Sequence, residues 1–162
     1  MNLIMQCVSS VSYSFLVNDS VHGKVIPSRG IRQGDPLSPY IFIICGEVLS
    51  GLCRRAQGSG HLSGLKVATS APQLNHLLFA DDTMFFMDTE EQSCASLMKI
   101  LQQYKTSSGQ LINTDKSSIS FSAKTPQVIR ERVKSHLGIA QEGGVGKYLG
   151  CLLYTSPSPR DA

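Results

Sequence analysis

The chain has 162 residues, 41% of them apolar, enough for one hydrophobic core or part of a larger one. Lys and Arg number 15 against 12 Asp and Glu, a net +3 that permits a nucleic-acid partner without pointing to one. This composition excludes disordered and fibrous classes. The longest apolar run, Tyr40 to Cys45, is too short to cross a bilayer, and Met1 to Ser10 lack the basic region and cleavage site of a signal peptide. Cys7, Cys45, Cys53, Cys94 and Cys151 show no C-x-x-C spacing and do not cluster with a histidine. They read as small buried hydrophobes in a reducing compartment, which argues against a zinc site.

Met1 to Val8 has a helix-like mixture without a start signal, so the natural N-terminus is expected upstream. Val11 to Val17 is β-prone, with Tyr13, Phe15 and Val17 on one face. Asn18-Asp19-Ser20 then turns it into a second strand over Val21 to Ile26. The loop from Pro27 to Pro39 carries Arg29, Arg32, Gln33 and two glycines, and offers backbone N–H groups to a phosphate or nucleotide backbone. On this stretch alone a plain Gly/Pro loop before a capped helix is the better reading. Asp35 is placed to N-cap and Pro36 occupies the first helical position. Leu37, Ile41, Ile44, Cys45, Val48, Leu49 and Leu52 then predict a long buried helix to about Arg55.

A Gly/Ser loop over Gln57 to Ser63 and a short strand at Leu65 to Ala68 lead to His76-Leu77-Leu78-Phe79-Ala80-Asp81-Asp82-Thr83-Met84-Phe85-Phe86-Met87. Two strand-length apolar runs flank two adjacent carboxylates, which predicts a hairpin with Asp81 and Asp82 at its tip. Neither tip residue is glycine, and the adjacent charges repel. A divalent cation there would remove the repulsion; a solvated acidic turn is the alternative. Thr89 and Gln92 form a capping-box pattern opening a helix whose stripe is Cys94, Leu97, Met98, Leu101 and Tyr104, with Gly109 ending it. Gln110 to Asn113 and Ser117 to Ser122 read as short strands around Lys116. A last helix starts at Thr125-Pro126, with Ile129, Val133 and Leu137 inward and Arg130, Arg132 and Lys134 on a solvated face, for which contact with a nucleic-acid backbone is the alternative. The lone histidines read as core or surface residues. No dinucleotide fingerprint or nucleophile elbow is present.

Four stretches, taken in order, resemble the conserved blocks of reverse transcriptases: Gly30 to Tyr40, Phe79-Ala80-Asp81-Asp82, Gly109 to Asn113 with Lys116-Ser117, and Lys147-Tyr148-Leu149-Gly150. Their order and spacing are similar to those of plant non-LTR (LINE-type) retrotransposons, over residues 1–150. The resemblance implies an α+β fold, a partial right-hand polymerase palm whose antiparallel sheet carries the Asp-Asp hairpin and is backed by helices. It implies Mg²⁺ (or Mn²⁺) held by Asp81 with Asp82 auxiliary, and Lys116 to neutralise or protonate pyrophosphate. Arg32, Gln33, Gly34, Pro36, Phe79 and Ala80 would line the template and nucleotide side, and Tyr148, Leu149 and Gly150 the primer side. The implied partners are an RNA template, a DNA primer, deoxynucleoside triphosphates and the upstream part of the same polyprotein. No membrane is implied; the implied location is cytoplasm and nucleus.

Two departures stand out. Nothing before Gly30 matches the family's first metal-binding Asp, Asp19 being the lone carboxylate there. The fingers block is missing too, so the chain is expected to be inactive alone. Residues 151–162, Cys151 to Ala162, resemble translated sequencing-adapter sequence and form an expected non-native tail; a natural Ser/Pro-rich linker is the alternative. A pseudogene relic, an RNA-binding palm remnant and an intron maturase, which shares the polymerase blocks, are the competing functional readings.

Overall fold

A computed structural model describes residues 2–28 and 30–143. The chain forms two compact units, Met1–Cys45 and Gly46–Ala162.

The first unit begins with α1 (Asn2–Ser9), followed by β1 (Tyr13–Val17) and β2 (Ser20–Val25). The two strands pair antiparallel with Val17 opposite Ser20, so the loop is two residues, Asn18 and Asp19. Both have positive φ, 49° and 61°, the requirement of a type I′ turn that Asn and Asp tolerate best. The expected three-residue turn is thus one residue shorter, and the second strand starts one residue earlier. None of the described residues in this unit is buried.

The Gly/Pro loop then feeds α2 (Ser38–Gly58). Asp35 does not cap it as expected: its Oδ1 accepts the Leu37 N–H at 2.8 Å and its carbonyl the Ser38 N–H at 3.1 Å, so Pro36 and Leu37 form a turn ahead of the helix, which starts at Ser38 and runs past Arg55 to Gly58. The helix is not buried along its length, however. Ile44 and Val48 are exposed, whereas Leu49, Ser50 and Cys53 are buried.

In the second unit, β3 (His76–Phe79) and β4 (Asp82–Phe85) form the predicted hairpin, and α3 (Glu91–Ser108) and α4 (Gln127–Leu137) pack together. The core joins Leu49 and Cys53 of α2 with Leu62 and with Leu97 and Ile100 of α3. Phe85, Met87, Tyr104 and Leu137 close over it. Ile100 therefore takes the place expected of Met98, which points outward and is 40% exposed. Cys53 and Cys94 are core residues as expected, and burial pushes the Cys53 thiol up to about 11 against the opposing pull of Arg54. Cys7, by contrast, is exposed.

Helix ends follow local chemistry with one substitution of role. Gly109 ends α3 at φ 73°, its N–H bonded to the Lys105 carbonyl at 2.9 Å, the left-handed cap that glycine adopts without strain. At the other end Thr89 makes no capping box. The Glu90 N–H is accepted by Asp88 Oδ1 at 3.0 Å. Burial raises the Asp88 pKa, but hydrogen bonds from Ser93, Ser63 and the Glu90 N–H outweigh it and hold the carboxyl below its usual range.

Three expected strands fail for want of partners, and one expected solvated face fails because its cations find them. Gln110 to Asn113 and Ser117 to Ser122 form no strands; Ile119 alone bridges Glu142. Leu65 to Ala68 reduces to a bridge between Leu65 and Leu74. On α4, Arg130 and Lys134 are not solvated: both bind Glu142, at 2.6 and 2.5 Å, and Arg130 also donates to the Ser122 and Thr125 carbonyls. Arg132 donates to the Thr89 carbonyl at 3.0 Å. The fold is α+β with two separate two-stranded sheets among the described residues.

Candidate active site

The hairpin closes on the pair Phe79 and Asp82, with Leu78 opposite Thr83, Leu77 opposite Met84 and His76 opposite Phe85. Its two-residue loop is therefore Ala80-Asp81, one position earlier than expected, and Asp82 is the first residue of β4. The offset has a backbone cause. Ala80 carries φ +48°, and Asp81 does not have positive φ, the φ signature of a type II′ rather than a type I′ loop. Pairing needs Asp82 extended, so the left-handed position falls on Ala80. The first central residue of such a turn is normally glycine; here it is not.

This turn puts the two carboxylates in unlike settings, Asp81 on the loop and Asp82 on the strand. Both are exposed. Neither side chain makes a hydrogen bond or ion pair with any described residue, so all four carboxylate oxygens are open to an external ligand. Such oxygens suit a hard cation of the Mg²⁺ kind. Among the described residues, no His, Cys, Asp or Glu joins them to make a group of three. The donor set fits a divalent ion in chemistry and is incomplete in number.

The base of the hairpin is fixed by polar contacts that sequence reasoning missed. Asn75 is buried. Its Nδ2 donates to the Cys53 carbonyl at 3.2 Å and to Gln57 Oε1, and its carbonyl accepts the Phe86 N–H at 2.9 Å. His76 Nδ1 meets Asn75 Oδ1, and His76 Nε2 lies 2.8 Å from Ser50 Oγ. Burial and the nearby Arg54 lower the His76 pKa, opposed by Glu47, which favours the neutral ring. The one available signal was the placement of Ser50, Cys53 and Gln57 on one helix face by i, i+3, i+7 spacing.

Among the other expected site residues, Arg32, Gln33, Gly34 and Pro36 lie together on the loop of the first unit. Gly34 has φ +84°, and a Cβ there would meet nothing within 4 Å, so the glycine serves the turn. Arg32 and Asp35 border a hollow of about 40 Å³ with Tyr13, Ile31, Leu37 and Ile41. Arg29 lies outside the described residues. Phe79 and Ala80 adjoin the two carboxylates at the tip, with Phe79 55% exposed. Lys116 is exposed in a tight turn set by Asn113, whose Oδ1 accepts the Lys116 N–H at 3.1 Å. Tyr148, Leu149 and Gly150, and the expected tail, also lie outside the described residues.

The hairpin thus presents two free carboxylates beside an exposed aromatic residue, Phe79. Residues 2–152 match the family described as reverse transcriptase (RNA-dependent DNA polymerase). The chain belongs to the reverse transcriptase family, the one its motifs resemble. It is 65% identical over 69 residues to an uncharacterized mitochondrial protein of Arabidopsis thaliana, an alignment covering 43% of this chain and 57% of that protein. It is also similar to the retrovirus-related Pol polyproteins of type-1 retrotransposable element R2 from two insects. The identity is 40% over 75 residues for Nasonia vitripennis, covering 46% of this chain and 6% of the polyprotein. It is 28% over 125 residues for Popillia japonica, covering 76% of this chain and 19% of the polyprotein. The chain thus spans less than two thirds of each of these relatives.

Proposed function

We propose that this chain is the hairpin-bearing part of the palm of a non-LTR retrotransposon reverse transcriptase, an enzyme that extends a DNA primer on an RNA template. The observation that carries this reading is the pair of unpartnered carboxylates, Asp81 and Asp82, on a turn with unfavourable φ in a chain of this family. In that reaction the primer 3′-hydroxyl attacks the α-phosphorus of a deoxynucleoside triphosphate, and pyrophosphate leaves. Divalent ions held by Asp81 and Asp82 would supply charge stabilisation for the attacking and leaving oxygens. Asp81 is the principal ligand and Asp82 the auxiliary one, offering oxygen donors of the hard type Mg²⁺ prefers. Lys116 neutralises the departing pyrophosphate. Arg32 and Gln33 meet the template and incoming nucleotide, Arg32 as the cationic partner of a phosphate, while Gly34 and Pro36 shape the loop beside them.

With two carboxylates and no third ligand of protein origin among the described residues, the isolated chain binds a cation weakly and does not polymerise. The test is a titration of the ¹⁵N-labelled 162-residue chain with Mn²⁺, read as paramagnetic broadening of amide signals. Broadening centred on Asp81 and Asp82, displaced by Mg²⁺ and lost in Asp81→Asn, is expected. Added inorganic pyrophosphate is expected to shift the Lys116 signal. Broadening that is spread over surface carboxylates generally refutes the metal assignment. Template-dependent primer extension by the same preparation refutes the inactivity.

A further inference from the structure

The hairpin lies along α2 in steps. A Cβ placed on Gly46 would sit 3.7 Å from Leu78 Cδ1. His76 reaches Ser50 at 2.8 Å, and Asn75 reaches the Cys53 carbonyl at 3.2 Å and Gln57 beyond it. Successive strand residues thus meet successive turns of the helix. Apolar seating is thin on this side of the hairpin: Leu77, Leu78 and Phe79 are 38%, 37% and 55% exposed, and in β4 it is Phe85 that packs on the core.

Hydrogen-bond logic fixes the protonation pattern of these contacts. The Cys53 carbonyl can only accept, so the Asn75 group facing it is the NH₂ end, and Oδ1 faces His76. Oδ1 also only accepts, so His76 Nδ1 carries the proton and Nε2, in the neutral ring, accepts from the Ser50 hydroxyl. Every polar group of the set has a partner, and the members are buried or half-buried. A chain of this kind specifies one position, because a shift of the strand by one residue would orphan several groups at once.

We propose that Asn75 and His76 are positioning residues, clamping the hairpin to Ser50, Cys53 and Gln57 of α2 and so fixing where Asp81 and Asp82 stand. The inference rests on the reading of those carboxylates as metal ligands, and its test separates the two. His76→Ala, His76→Gln and Ser50→Ala are made in the full 162-residue chain, with helix content checked by circular dichroism. Two quantities are followed: hydrogen exchange of the Phe86 amide, which bonds Asn75, and the Mn²⁺ midpoint for broadening at Asp81.

His76→Ala and Ser50→Ala are expected to speed Phe86 exchange by ten-fold or more and to raise the Mn²⁺ midpoint several-fold at unchanged helix content. His76→Gln, whose amide can still meet Ser50 Oγ, is expected to stay within about two-fold of the unsubstituted chain on both measures. Unchanged exchange in His76→Ala and Ser50→Ala overturns the clamp. Faster exchange with an unchanged Mn²⁺ midpoint overturns its positioning role. Absence of any Mn²⁺ broadening in the unsubstituted chain overturns the metal reading and the positioning role with it, and the exchange rates still decide whether the clamp exists.

Discussion

Ala80 holds the sharpest local conflict in the hairpin. Its φ of +48° brings Cβ close to the backbone, a clash that costs an L-residue about 1–2 kcal/mol. Glycine would relieve it, less the extra entropy glycine loses on folding, about 0.5–1 kcal/mol. Ala80→Gly is therefore expected to raise stability by roughly 0.5–1 kcal/mol, and Ala80→Val, with its branched Cβ, to lower it. A denaturant midpoint for each variant checks the order Gly, Ala, Val from most to least stable; any other order removes strain from the account of this turn. The sequence placed Asp81-Asp82 in the turn, and the turn holds a non-glycine pair one position earlier, Ala80-Asp81. It did not show which residue would bear the positive φ, because that depends on which pair closes the ladder. The carboxylates were legible as a pair for chemical reasons, but the Asn75–His76 contacts were not. They join residues 26 and 22 positions apart, His76 to Ser50 and Asn75 to Cys53, and nothing local in the chain encodes such a distance.

At the scale of elements, features set by near neighbours were read correctly more often than those needing a distant partner, although the Thr89 capping box and the exact turn residues of both hairpins were misread. Gly109 after α3 acts within one turn of its helix, so residue type and position sufficed. The β1–β2 turn follows equally from Asn18-Asp19. By contrast, Gln110 to Asn113 and Ser117 to Ser122 have strand-like composition, but a strand exists only where another strand hydrogen-bonds it, and Ile119 finds a single bridge to Glu142. Likewise the charge pattern of α4 gave a solvated basic face, whereas Glu142, five residues beyond the helix end, folds back to bind Arg130 and Lys134. The segment leading into the hairpin carries a prediction of its own. Gly64 lies against the Leu74 backbone, and a Cβ there would stand 2.5 Å from its carbonyl oxygen and 2.7 Å from its carbonyl carbon. Backbone cannot rotate away as a side chain can. Gly64→Ala should therefore break the Leu65–Leu74 bridge and destabilise the second unit by about 1–3 kcal/mol. The loss should show as a lower thermal midpoint together with faster exchange of the Leu65 and Leu74 amides, which bond each other's carbonyls at 2.7 and 2.8 Å. A midpoint unchanged within error would mean that the two segments part without loss.

Across the whole molecule, burial is unevenly shared. Every buried apolar residue among those described, from Leu49 to Val133, belongs to the second unit. The first unit has a well-formed hairpin whose strands are exposed residue by residue, with Phe15, Leu16 and Val21 at 61%, 69% and 72%. A two-stranded hairpin without a covered face is marginal in water, because backbone ordering of about 1–2 kcal/mol per residue is not offset by burial. The α3 helix has the opposite standing, with Ser93, Cys94, Leu97 and Ile100 all buried. Hydrogen exchange of the 162-residue chain, followed residue by residue, should therefore divide it. Amides of β1 and β2 are expected to exchange roughly a hundredfold faster than those in the middle of α3, a gap of about 2.7 kcal/mol in opening free energy. Equal protection in the two would mean that the exposed strands draw stability from something other than buried apolar surface. The expected division makes the second unit the rigid platform on which Asp81 and Asp82 stand, with Phe85 in its core and Asn75 and His76 tying the strand to α2. The loop bearing Arg32 and Gln33 belongs to the first unit, so under the proposed function a nucleotide or template meeting it would also bear any cost of ordering it, which would lower affinity.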